Sequence, residues 1–178
     1  MDTIIETPRL RLRALEAERD AEAMLALVND PGFLRGIGDR GIRTHAQARE
    51  HVHEWAVAHR ARHGFAHWAL ETREAGTFVG TLGLLRRDTL AHPHLGYALL
   101  AAHRGQGYAE EAARAVLADA RERMGLRQLC AIVAPDNAAS IGLLEKLGLR
   151  REDVRRLEPD GELLAYYTLA LDPPAVDS

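Results

Sequence analysis

Six consecutive residues, Arg104-Gly105-Gln106-Gly107-Tyr108-Ala109, have the composition of an anion-binding loop. They follow a short apolar run, Leu95 to Leu100, and open a long amphipathic segment from Gln106 to Met124. The order reads as strand, glycine loop, helix. A helix N-terminus carries backbone N–H groups with no intrahelical partner, and the helix dipole adds to their pull on a phosphate. Two glycines one residue apart permit the dihedrals and the close backbone approach that wrapping a phosphate needs. Arg104 adds a positive charge beside them. The expected ligand carries a pyrophosphate. A nucleoside-triphosphate loop would need Lys-Ser or Lys-Thr after the glycines, and none follows. A dinucleotide fingerprint would need a third small residue where Glu110 stands and an early first strand, whereas this loop lies past mid-chain.

The remaining pattern, R-x-x-G-x-A opening a helix and followed by Glu110-Glu111, resembles the acetyl-coenzyme A signature of the GNAT superfamily of N-acetyltransferases. Within it, the form R-G-x-G-Y-A looks like the ribosomal-protein N-acetyltransferase branch. Two further stretches are similar to that branch and stand in the right order: Glu6-Thr7-Pro8-Arg9-Leu10-Arg11-Leu12-Arg13, and the segment from Asn137 to Leu149 with Ser140, Glu145, Lys146 and Gly148.

The resemblance implies a mixed α/β fold, a mostly antiparallel central sheet with splayed strands and helices on both faces. It implies acetyl-coenzyme A as co-substrate, held by the glycine loop with Leu99, Leu100, Asn137 and Ser140, and direct transfer to a primary amine in a ternary complex. A backbone N–H near Leu99 would steady the oxyanion, Asn137 would contact the coenzyme arm, and Ser140 would reach the sulfur. Asn137 or Asp136 could equally cap a helix after Pro135. Many relatives place a tyrosine acid just before the position of Glu145. This chain has Leu144 there, which shifts weight to Ser140 or to water. The implied acceptors are a protein N-terminal amine, an amino acid or polyamine, or an aminoglycoside-like drug. A non-catalytic acyl-coenzyme A sensor is the rival class. Relatives are often dimers, so a homodimer is an arrangement the resemblance allows.

The amine must also lose a proton. His94, entering the strand before the loop, is the candidate base, with His92, Glu71 and Asp88 as further options. The nine histidines include His51-x-His53, His59-x-x-x-His63 and His92-x-His94, but no third ligand accompanies the i, i+4 pair, so no metal site is expected. Arg35, Arg40 and Arg43 form a basic, glycine-bearing loop that could line an acceptor cleft or simply be solvated. Trp55 and Trp68 read as core.

The elements that must position these groups follow from periodicity. Alternation over Arg9 to Arg13 predicts a half-exposed strand, and Ala17 to Val28 a helix stopped at Asp30-Pro31-Gly32. Phe33 to Arg43 shows no periodicity. Thr44 with Gln47 forms a capping box opening a helix to about His63. Strands are expected at Phe65 to Glu71, Thr77 to Arg86, His94 to Leu100, Leu129 to Val133, Leu149 to Leu157 and Leu163 to Leu171, with a helix from Asn137 to Leu147.

The 178 residues fit one domain, ordered over about 6–171 with a frayed tail at 172–178. No apolar run approaches the ~20 residues that span a bilayer, so no membrane partner is expected. The lone cysteine, Cys130, excludes an internal disulfide framework and suits the cytoplasm. A net charge of −3 gives no support for nucleic-acid binding.

Overall fold

The computed structural model describes residues 4–172, so most of the expected frayed tail lies outside the described residues. The strands are β1 (Ile5–Glu6), β2 (Leu10–Ala14), β3 (His67–Thr72), β4 (Phe78–Leu85), β5 (His94–Leu99), β6 (Gln128–Val133), β7 (Arg150–Arg155) and β8 (Leu164–Ala170). They form one sheet in the order β1-β2-β3-β4-β5-β6-β8-β7. Every neighbouring pair is antiparallel except β5 and β6, which are parallel and share a single register pair, His94↔Cys130. The Cys130 N–H donates to the Pro93 carbonyl at 3.0 Å. Beyond that point the two strands diverge, as the resemblance implies, and the sheet opens.

The sheet is covered on both faces. Helix α5 (Tyr108–Glu122) packs on β2 and β4. Its buried residues, Ala112, Ala113, Val116 and Ala120, are small and lie at helical spacing, so its axis can approach the sheet closely. Helix α6 (Ala138–Lys146) adds Leu144 to the same core. The other face carries α1 (Ala17–Val28) and α3 (His45–Val52), with Ala21, Met24, Leu27, Ala48 and Val52 buried.

Two local readings are revised. Asp30 stops α1 but also starts α2 (Pro31–Gly36), its carboxylate accepting from the Gly32 and Phe33 N–H groups. Six residues make less than two turns, too few for a periodic signal. The capping box at Thr44 forms with both of its hydrogen bonds. The helix it opens, however, passes through a π-helical turn, His53–Ala58, before α4 (His59–His63), which ends at Gly64 with φ +81°. The π turn shifts the phase of the side chains that follow, and such turns recur at functional sites.

Two charged clusters tie distant segments together. Arg13, which alternation puts at a half-exposed strand position, is buried: its guanidinium pairs with Asp20 of α1 and Glu71 of β3, each at 2.7 Å. Arg19 also pairs with Glu71 at 2.9 Å. The second cluster braces the glycine loop. The Glu111 carboxylate accepts from the Thr7 hydroxyl at 2.6 Å, the Arg9 N–H at 2.8 Å and the Arg9 Nε at 2.6 Å. Arg9 Nη1 donates to the Gln106 carbonyl at 2.7 Å, and the guanidinium lies 4.6 Å over the Tyr108 ring. Burial opposes the Glu111 charge, but the hydrogen bonds from Thr7 and Arg9 outweigh it and hold its pKa below the ordinary carboxylate value.

Removing Glu111 leaves three donors without their acceptor. Glu111→Ala is expected to cost about 2 kcal/mol, because charge-assisted hydrogen bonds are the strong ones. Thermal unfolding should then occur about 4–8 °C earlier for a domain of this size; an unchanged melting temperature would show that the brace is not needed.

Candidate active site

A cleft of about 830 Å³ opens between the diverging ends of β5 and β6, and a second cavity of about 520 Å³ lies on the α3 side. Both are bordered by Phe33, Gly36 and Ile37 of the α2 region, Tyr97 and Ala98 of β5, and Ala134, Asn137 and Ser140. The two spaces therefore meet at the edge of β5, over the start of α6.

The first cleft runs along the glycine loop. Gly105 and Gly107 have φ of +72° and +81°, in the left-handed region that glycine adopts without strain. Gly107 is the N-cap of α5, and no side chain caps that helix. Its first intrahelical bond runs from the Glu111 N–H to the Gly107 carbonyl, so the N–H groups before it have no helical partner and are available to an anion. Gly105, Gly107, Tyr108 and Ala109 line the cleft, whereas the Gln106 side chain turns back to the Ala102 carbonyl at 2.9 Å. Arg104 lines the cleft as well. Its charge is shared with Asp30, which it pairs with directly, and its Nε donates to the Leu99 carbonyl at 3.1 Å.

That last bond fixes the aim of the strand. The Leu100 N–H donates across to Val79 at 3.0 Å, so by ladder alternation the Leu99 N–H and C=O point away from β4, toward the opening. Leu100 itself does not border the cleft. Asn137 caps α6, its Oδ1 accepting from the Ser140 N–H at 3.2 Å. Its amide nitrogen faces Gly36, so the capping residue is also a wall of both spaces. The Ser140 Oγ lies 2.9 Å from the Tyr97 hydroxyl. Sequence reasoning missed Tyr97; only the register of β5 against α6 brings it there.

The second cavity gathers histidines. His51, His59, His67 and His94 line it, with Trp55 stacked on His51 at 5.4 Å and tilted over His67 at 4.5 Å. Trp55 is thus a cavity wall, while Trp68 is core. The Nε2 atoms of His67 and His94 are buried without a partner. Burial lowers the His94 pKa to about 4, with Arg87 and His59 adding to the effect; burial also depresses His67, assisted by His94 and His59. The remaining candidates lie elsewhere. Glu71 is spent in the Arg13 cluster, Asp88 is exposed, and the His92 carbonyl accepts from the Cys130 thiol. Arg35 borders the first cleft and Arg40 the second, and Arg43 pairs with Asp39. Among the described residues no three His, Cys, Asp or Glu groups are arranged to hold a metal ion, and no helix is long and apolar enough to cross a membrane.

The family model of the acetyltransferase (GNAT) domain matches residues 9–150. The chain belongs to the GNAT acetyltransferase family. It is 32% identical over 149 residues to the Bacillus subtilis protein YkkB, covering 83% of this chain and 85% of YkkB. It is 31% identical over 160 residues to the uncharacterized N-acetyltransferase YoaA of Bacillus subtilis, covering 88% of each. Among solved structures, an acetyltransferase from Agrobacterium tumefaciens is similar with a TM-score of 0.76 at 26% identity, covering 94% of both chains. RimL, a ribosomal L7/L12 alpha-N-protein acetyltransferase solved with coenzyme A, shares the fold with a TM-score of 0.82 at 19% identity, covering 96% of this chain and 99% of that one. The protein is an acetyltransferase, and acetyl-coenzyme A is its acetyl donor.

The buried imidazoles make stability fall with acid. Between pH 6.5 and about 4 the unfolded chain binds a proton at His94 that the folded chain refuses, so stability is complete above that window and declines as pH drops through it. At pH 5 His94 alone is expected to cost about 2 kcal/mol. The depressed His51, His59 and His67 act in the same direction. Melting temperature measured from pH 7.5 to 5 should fall, and His94→Gln should flatten the slope. Parallel curves for the two proteins would contradict this assignment.

Proposed function

We propose that the protein moves the acetyl group of acetyl-coenzyme A directly to a primary amine, with both substrates bound at once. The observation that carries this reading is the meeting of the two cavities at Tyr97 and Ser140. A thioester lying along the glycine loop and an amine entering from the histidine side would come together there, and holding two reactants in contact supplies several kcal/mol of the barrier.

The chain's own groups have the following roles. The left-handed glycines and the uncapped N-terminus of α5 bind the pyrophosphate, and Arg104 anchors the loop to β5 and to the cap of α2. Asn137 presents its amide to the coenzyme arm while its oxygen holds the start of α6. The Leu99 N–H, facing the opening, donates to the oxyanion of the tetrahedral intermediate. His94, neutral at physiological pH, accepts the amine proton at Nε2 and releases it to solvent in the cavity, since its lowered pKa suits a relay better than a store. Ser140 donates to the departing sulfur, and Tyr97 replenishes that proton through the 2.9 Å contact. A phenol is a stronger acid than an aliphatic alcohol, so Tyr97 supplies from β5 what Leu144 lacks in α6.

Ser140→Ala and Tyr97→Phe should each lower kcat by roughly ten- to a hundred-fold and leave the KM for acetyl-coenzyme A nearly unchanged, because the contact strengthens only as charge develops on sulfur. The double variant should lose little more than either single one, as expected for groups acting in series. The assay is release of free thiol with an amine panel. Wild-type kcat in both folded variants would remove the proton relay from the mechanism. A second loss is expected at the loop: Gly107→Glu puts a carboxylate where the pyrophosphate binds and forces a side chain onto a backbone at φ +81°. Coenzyme A affinity, measured by titration calorimetry on the folded variant, should drop by at least an order of magnitude.

A further inference from the structure

The lining of the second cavity is one-sided in charge. Arg40, Arg86 and Arg87 border it together with the four histidines, and no aspartate or glutamate does. No carboxylate among the described residues pairs with any of the three arginines. Burial makes the Arg87 charge costly and the nearby Arg40 charge makes it costlier, while the exposed Glu158 offsets only a smaller part. Arg87 is half-buried, and its repulsion from the exposed Arg40, offset only in part by Glu158, is a cost that a bound anion would relieve.

The floor of the cavity agrees. Gly83 of β4 pairs with His67 on one side and Gly96 on the other. Paired residues face the same way, so His67, Gly83, Gly96 and, two residues along, His94 share one face of the sheet. A side chain at Gly83 would collide with the Ala66 carbonyl at 2.5 Å, and one at Gly96 would press on the His67 Nε2 at 3.3 Å. The two glycines therefore let β3, β4 and β5 pack closely under the His67 ring, with the unpartnered Nε2 atoms of His67 and His94 enclosed beneath the cavity. Both histidines are more than nine-tenths buried and each has a donor or acceptor to offer.

We infer that the acceptor site takes a small amine that carries its own anionic group, a carboxylate or a phosphonate, bound by Arg40 and Arg87 while its amine points to His94, Tyr97 and Ser140. This rests on the reading of the second cavity as the acceptor site. It separates the acceptors that the family resemblance leaves together: an α-amino acid or aminophosphonate fits, whereas a polyamine or an aminoglycoside would bring further positive charge to a wall that already has too much. The volume of about 520 Å³ suits such a molecule.

The test has a kinetic arm and a binding arm. Thiol release is measured with α-amino acids, with aminoalkylphosphonates, with the corresponding amino-acid amides and with spermidine. The anionic acceptors should exceed the matched amides in kcat/KM by about a hundred-fold or more, because a site built around a charge is left unpaired by the analogue that lacks it. The carboxylate and phosphonate series show which anion is preferred. Arg87→Gln should raise the KM of the anionic acceptor at least ten-fold and narrow the acid-to-amide ratio, with coenzyme A affinity unchanged; Arg87→Lys should restore part of the ratio. In the binding arm, N-acetylated amino acids and their amides are titrated into the coenzyme A-loaded protein. The acids should raise the melting temperature and the amides should not. Amides or spermidine used as well as the acids would overturn the inference. If no amine is acetylated, the proposed transfer fails, while the binding arm still decides the anion site by itself.

Discussion

The arrangement of the protein depends on two parallel strands that touch once and then part. One register pair, His94↔Cys130, closes the sheet between β5 and β6; past it, each strand has an edge with nothing across from it. Unpaired edges inside a protein must find other partners. Here the edge of β5 gives its Leu99 carbonyl to Arg104 and leaves the adjacent N–H facing open space. Without the gap, the glycine loop would have no cleft to border, α6 would not bring Ser140 to Tyr97, and the two cavities would be sealed from each other by a continuous ladder.

The gap also divides the electrostatics. On one side lie uncapped helix N–H groups and glycines with left-handed backbone, whose partial positive charge, with Arg35 and Arg104 on the same wall, suits a pyrophosphate. On the other lie arginines and buried neutral imidazoles. Each side is tuned by a different physical means, dipoles in one case and desolvation in the other, and that lets one sheet serve two ligands a few residues apart.

What the sequence revealed depended on whether the information was local. The glycine loop, the capping box at Thr44 and the amphipathic segment that becomes α5 are each written within one stretch of chain, and each stands where the sequence analysis put it. The splayed sheet came through family resemblance, not through periodicity. Tyr97 was passed over as one residue of an apolar strand, because its value lies in facing Ser140 across 43 positions of sequence. The packing of His67 over Gly83 and Gly96 was hidden for a similar reason: it exists only after three strands are in register. Helix α2 escaped because it is shorter than the period needed to recognise it, and the π turn because its effect is a change of phase within an otherwise regular segment. The acidic residues after the loop entered as part of the coenzyme A signature, yet Glu111 is committed to Thr7 and Arg9. Two of the motif matches are thus one physical unit.

The buried set of Arg13, Asp20 and Glu71, with the exposed Arg19 at its rim, joins β2, α1 and β3 through charges that cannot be satisfied separately. Losing any one inner member strands the others in a medium that does not solvate them, whereas replacing the group together by apolar side chains of similar volume removes the problem altogether. Substitutions here are consequently strongly epistatic: the effect of a change at Asp20 depends on what occupies 13 and 71, and single-step paths between two well-tolerated sets pass through poorly folding intermediates. Related chains are therefore expected to keep these positions as a block or exchange them as a block, so the quartet carries a record of descent that independent surface positions do not.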